Sequence, residues 1–201
     1  LDGHPTPAVP FVPVATGASG VGLAAGAGLA LAACDVYGPA APRVHLIEGE
    51  GGLTPGRVHE TLSAAATLGL GNLTLHVDWN QASIDSDRVC ADAKGPGDYV
   101  PWSPLELLRL HGWNVVDAGD GRRIEGVLAA QRAAASVRNG RPTAVVYRTI
   151  KGEGYGIEGV QVKGSYIVDT GHMVAFEGQL DFRIRSAGGG ALGFFASGEG
   201  L

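Results

Sequence analysis

Two residues stand out for the chemistry they could do together: Glu50 and Asn80. Glu50 lies in Glu48-Gly49-Glu50-Gly51-Gly52, just after the apolar positions Val44, Leu46 and Ile47. Asn80 follows a second apolar segment, Leu73 to Val77, and closes the run Asp78-Trp79-Asn80. An apolar run without alternation that breaks into glycines reads as a buried strand delivering its backbone to a tight loop. Between the two runs, Thr54 to Leu68 is amphipathic. Parallel strands joined by a helix place both carboxyl ends on one sheet edge, where open α/β folds bind ligands. A carboxylate and a carboxamide converging there suit Mg²⁺ or Ca²⁺, and Mg²⁺ commonly completes its shell with phosphate oxygens. The glycines at 49 and 51 would let backbone N–H groups approach a diphosphate, with the positive end of a helix close behind. The plainer alternative is an ordinary strand, glycine turn and helix with a structural asparagine.

The elements needed to position this pair follow an alternating order. Pro5, Pro7, Pro10 and Pro13 make residues 1–15 an extended lead-in. Thr16-Gly17-Ala18-Ser19-Gly20-Val21-Gly22 opens a small-residue helix reaching Ala33, with Gly26 and Gly28 offering close packing against a neighbouring backbone. Residues 86–103 are aperiodic and contain Gly95-Pro96-Gly97, a long loop of the functional or mobile kind. Ser103 is a candidate N-cap for a helix starting at Pro104. Trp113 to Val116 reads as a third strand and Thr143 to Ile150 as a fourth. Between them Gly121 to Val137 reads as a helix with Ile124, Val127, Leu128 and Gln131 on one face. Alternating strand and helix argue for α/β architecture, a parallel sheet with helices on both faces. The rhythm fades after Val160, so the expected organisation is one domain over 1–160 and a partly irregular extension over 161–201.

With 15 basic and 20 acidic residues, the chain carries a formal charge of −5 and lacks a nucleic-acid footprint. Two cysteines, Cys34 and Cys90, are too few for a disulfide scaffold, and a reduced cytoplasmic setting is expected. The longest apolar stretch, Val21 to Ala33, is shorter than a bilayer span, so no membrane partner is expected.

Several motifs in order resemble the transketolase family. Gly49-Glu50-Gly51 … Asn80 is similar to its Gly-Asp-Gly … Asn signature for Mg²⁺ and the diphosphate of thiamine diphosphate. Gly3-His4-Pro5 with Thr16-Gly17, Gly71-Asn72-Leu73, His111-Gly112-Trp113, Pro142-Thr143 and Lys151-Gly152-Glu153-Gly154-Tyr155-Gly156 fall in the family's order. The resemblance implies the fold of the N-terminal, diphosphate-binding domain, thiamine diphosphate with Mg²⁺ or Ca²⁺ as cofactors, and two-carbon ketol transfer between sugar phosphates. It implies an ion held by Glu50, Asn80 and the Ala82 carbonyl, and a cofactor lined by Gly17, Ser19, Gly49, Gly51, Asn80 and Ile84. It places His4, Glu60 and His172 among the catalytic residues, Glu60 as either a link between active sites of a dimer or a solvated helix residue. The pyrimidine-binding domain that completes such a site is not supplied after Val160. The expectation is therefore half of a split enzyme or part of a longer polypeptide, working as a homodimer or heterotetramer. Four departures leave a non-catalytic homologue open. Glu50 replaces aspartate and reaches about 1.5 Å further, Pro55 replaces a glutamate, and Ser19 and Val21 replace a leucine and a glutamine.

TGASGVG at 16–22, Asp35, and the Tyr147 to Lys151 spacing also resemble short-chain dehydrogenases. Two physical requirements oppose that reading: the glycine turn must follow a strand, and Tyr147 and Lys151 must share a helix face. His45, His59, His76 and His111 read as packing histidines.

Overall fold

The computed structural model describes residues 6–83 and 86–153. Residues 6–81 and 88–149 form one compact body. It contains α1 (Val21–Tyr37), β1 (Val44–Gly49), α2 (Gly56–Thr67), β2 (Leu73–Trp79), α3 (Pro104–Leu110), β3 (Asn114–Asp120), α4 (Ile124–Ser136) and β4 (Thr143–Arg148). The strands are all parallel, in the order β1-β2-β4-β3. The described residues 82–83, 86–87 and 150–153 belong to a second unit. There Ser83 N–H donates to Ser86 O at 2.8 Å, and Ser86 N–H returns a bond to Ser83 Oγ at 3.0 Å.

Each helix packs through a stripe of the expected spacing. Val58, Leu62 and Ala65 are the buried face of α2, and Leu23, Gly26 and Ala30 that of α1. The expected approach to a neighbouring backbone is not seen: Gly26 instead makes room for the Leu46 side chain of β1, since a Cβ there would sit 2.1 Å from Leu46 Cδ2, and Gly28 meets nothing. Ser103 and Glu106 form a reciprocal capping box on α3, with Pro104 in the first turn. Leu73, Leu75, Val77 and Trp79 of β2 and Ala144 and Val146 of β4 share one core with α1, α2 and α3. On the opposite face, Val145 packs beneath Ala130 and Ala134 of α4.

Several sequence expectations need correction. The first strand is an edge strand with one face bare among the described residues, because α4 packs on β3 and β4; Ile47 is 84% exposed. His45 and His76 are therefore not core residues. Their rings stack on that bare face at 5.3 Å, and His76 Nδ1 lies 2.8 Å from Tyr147 Oη. The buried stripe of α4 is alanine, Ala130 and Ala134, while Ile124 and Leu128 are exposed. Helix α2 starts at Gly56, since Pro55 is extended (φ −66°, ψ 142°) and the chain first makes a 3₁₀ turn over Glu50–Leu53. The apolar stretch over Val21–Ala40 is 20 residues long with mean hydropathy 1.5, long enough by composition to cross a bilayer. In this fold its stripe packs on β1 and α2.

The dehydrogenase reading fails on the fold. Among residues 6–20 there is no strand before α1, Asp35 lies on α1, and Tyr147 is on β4 with Lys151 in a turn. Residues 161–201 of the expected extension lie outside the described residues.

Leu75 is fully buried at the centre of the sheet. Leu75→Ala should lower unfolding free energy by about 2–5 kcal/mol, read as a fall in urea midpoint with unchanged slope.

Candidate functional site

Strands β1 and β2 pair in register from Val44↔Leu73 to Gly49↔Asp78. That register brings the residues following each strand to the same edge. Glu50 is 2% exposed there, and its Oε2 accepts the Asn80 backbone N–H at 3.3 Å. Its other oxygen, Oε1, is buried with no hydrogen-bond partner among the described residues. Burial raises the Glu50 carboxyl from 4.5 to about 7, aided by the nearby Asp78 charge and opposed by backbone N–H groups of residues 50, 80 and 81.

The Asn80 side chain is oriented by Asp78. Asp78 Oδ2 accepts from Asn80 Nδ2 at 2.9 Å, and Asp78 Oδ1 accepts from Thr149 Oγ1. A carboxylate only accepts, so this bond fixes which end of the Asn80 amide is nitrogen. Gln81 follows at φ +63°, and its carboxamide grips Cys90 at two points. Nε2 donates to Cys90 O at 2.8 Å, and Oε1 accepts Cys90 N–H at 3.0 Å. That clasp ties the long loop to the end of β2. Cys90 is fully buried and its thiol is pushed up to about 12, which leaves it unsuited to nucleophilic work.

The end of the 16–20 segment is pinned to α2 and β1. Arg57 Nη1 donates to Ser19 O at 3.1 Å, and Gly20 N–H donates to Glu48 Oε2 at 2.8 Å. Gly20 has φ +79°, and a Cβ there would meet Val58 Cγ2 at 2.7 Å and Gly52 O at 2.8 Å. No L side chain fits that position.

Of the expected site residues, Gly17, Ser19, Gly49, Glu50, Gly51 and Asn80 thus lie on connected loops. Glu60 is exposed on α2 and lines a cavity of about 740 Å³ with His59, Ser63 and His111. His111 Nδ1 lies 2.9 Å from Ser63 Oγ. Ala82 belongs to the second unit. His4, Ile84 and His172 lie outside the described residues. Glu48, Arg57, Asp78, Gln81 and Thr149 carry structural roles here that the sequence reading did not assign. Only Glu48 left a signal, as an acidic residue at the inward parity of an apolar strand.

The donor chemistry fits a hard cation: one buried carboxylate oxygen without a partner, a carboxamide, and backbone carbonyls. Among the described residues no three His, Cys, Asp or Glu side chains cluster for a metal. An ion at this edge would therefore draw on Glu50, neutral oxygens and the oxygens of a bound anion.

Fold and edge together define a parallel α/β domain whose ligand edge carries an acidic glycine loop. The chain matches the family model described as transketolase, thiamine diphosphate binding domain, over residues 1–172, and it belongs to that family. It is 34% identical over 154 residues to transketolase-like protein 2 of Mus musculus, covering 77% of this chain and 23% of that protein. It is 32% identical over 166 residues to transketolase of Homo sapiens, covering 83% and 24% respectively. Transketolase from Leishmania mexicana is a solved structural relative with TM-score 0.63 and 28% identity, covering 75% of this chain and 22% of that one. The chain thus spans about a quarter of the length of these relatives.

Because the native Glu50 carboxyl titrates near 7 and the unfolded one near 4.5, the native state binds more protons across that interval. Its contribution is fully present below about 4.5 and lost as pH rises through 7, up to about 3 kcal/mol. Glu50→Gln should remove this dependence. In thermal melts with chelator, the variant should gain on wild type as pH rises from 5 to 8; parallel curves would contradict the assignment.

Proposed function

We propose that the chain is the cation- and diphosphate-binding part of a thiamine-diphosphate-dependent transferase, moving two-carbon ketol units between sugar phosphates. The observation that carries this reading is the buried Glu50 carboxylate, with one oxygen bound to Asn80 N–H and the other without a hydrogen-bond partner among the described residues. A buried carboxylate lacking a partner is costly, and a divalent cation would remove that cost.

In this reading Glu50 Oε1 and the Asn80 amide oxygen hold Mg²⁺ or Ca²⁺; the Ala82 carbonyl is added by the family resemblance alone. Asp78 keeps the Asn80 nitrogen engaged, and the other end of that amide is an oxygen, the donor type such a cation takes. Gly49 and Gly51 admit the diphosphate, and Gly17 and Ser19 line the cofactor; Ile84 is assigned there by the family resemblance alone. When bound, thiamine diphosphate would supply a thiazolium carbon able to attack a ketose carbonyl. His4 and His172 are assigned to proton transfer at the substrate, and Glu60 to contact with a second active site; these three rest on the family resemblance. The remaining apparatus is a pyrimidine-binding domain or subunit in a homodimer or heterotetramer. Two unpaired cysteines accord with a cytoplasmic setting.

A non-catalytic homologue is the second reading, favoured by a proton that Glu50 would hold near neutral pH. Calorimetry of thiamine diphosphate in Mg²⁺ separates them. The transferase reading expects binding that chelator abolishes and that Glu50→Gln weakens by about thirtyfold, the loss of one charged interaction of about 2 kcal/mol. Absence of heat from the wild type with the pyrimidine-binding partner present would favour the second.

A further inference from the structure

Glu48 is the acidic residue at this edge that the functional reading does not use. It pairs with Val77 in the sheet and follows Leu46 on the inward parity of β1, the side packed against α1. A strand-end position facing a helix is ordinarily apolar, and a carboxylate placed there needs hydrogen bonds to offset its lost hydration. Glu48 has them from two separate segments. Oε2 accepts Gly20 N–H at 2.8 Å, at the amino end of α1, and Oε1 accepts Gly49 N–H at 3.2 Å. Gly20 supplies no side-chain cap for α1, so the charge of Glu48 meets the positive end of a 17-residue helix.

The carboxylate also shapes the loop beyond it. A Cβ on Gly52 would lie 2.2 Å from Glu48 Oε1 and 2.3 Å from its Cδ. Glu48 therefore fills the space beside Gly52 while anchoring residue 20, and residue 20 in turn packs against Gly52 O and Val58. Glu48 thus bridges Gly20 to the Gly49–Gly52 turn, the two backbone segments assigned to the cofactor, beside the Arg57 bond to Ser19. It also places a second negative charge two residues from Glu50 on the loop that must receive an anion.

We propose that Glu48 is a positioning residue that locks the 17–20 segment to the Gly49–Gly52 turn, and whose charge makes diphosphate binding depend on a divalent cation. This rests on the thiamine-diphosphate reading above. Its two parts separate in two variants. Glu48→Gln removes the charge and keeps one acceptor for Gly20 N–H; Glu48→Leu removes both charge and acceptor.

The experiment is calorimetric titration of the 201-residue chain with thiamine diphosphate, with Mg²⁺ and with chelator, beside amide hydrogen exchange. In Glu48→Leu, amides of 17–22 and 49–53 should lose protection together, and affinity in Mg²⁺ should fall about tenfold or more. In Glu48→Gln, protection at 17–22 should persist and the ratio of affinities with and without Mg²⁺ should shrink about tenfold, as like-charge repulsion is relieved. A purely structural role would leave that ratio unchanged in Glu48→Gln, and this result would overturn the proposal. So would wild-type exchange and affinity in Glu48→Leu, or lost protection without lost affinity. If the wild type binds no thiamine diphosphate in Mg²⁺ with the pyrimidine-binding partner present, the functional reading fails, and the positioning role falls with it whatever the exchange shows.

Discussion

Burying an acid without giving both its oxygens partners is among the costlier arrangements a small domain can adopt, and this fold adopts it at the end of β1. Glu50 begins a 3₁₀ turn, is 2% exposed, accepts Asn80 N–H through Oε2, and leaves Oε1 without a hydrogen-bond partner among the described residues. Burial drives its carboxyl toward the neutral form. Such a group is poised between a proton and a cation. The surrounding structure can be understood as the scaffold that keeps it there.

That scaffold works by parallel pairing. The β1–β2 register fixes how far each strand runs before it turns, and so which residues emerge at the shared edge. The β2–β4 register then delivers Thr149 to Asp78, and Asp78 to the Asn80 amide. On the other side, α1 approaches β1 through Gly26 and ends its amino terminus on Glu48. Stability and site geometry are therefore coupled: the apolar core beneath α1 and α2 also holds the loops around Glu50.

The bare face of β1 and β2, with Ile47 exposed and His45 stacked on His76, shows the same sheet half covered. Neutral imidazoles suit this hydrogen-bonded row, and burial lowers both histidines below their ordinary range. Among the described residues, the larger apolar cluster lies on the α1–α2–α3 side of the sheet and the smaller one under α4.

Sequence alone determined the alternation of strand and helix, Ser103 as the N-cap of α3, and the pairing of Glu50 with Asn80. These follow from local rules: period, cap chemistry, and the adjacency of parallel strand ends. It misjudged β1 and α4, because apolar content does not reveal which face a neighbour covers; Ala130 and Ala134, not Ile124 and Leu128, meet the sheet. Only the tertiary structure decided that Asp78 orients Asn80, that Gln81 clasps Cys90, and that Glu48 reaches Gly20 across 28 residues. Strand register and helix approach set those contacts, and both arise from packing between segments distant in the chain.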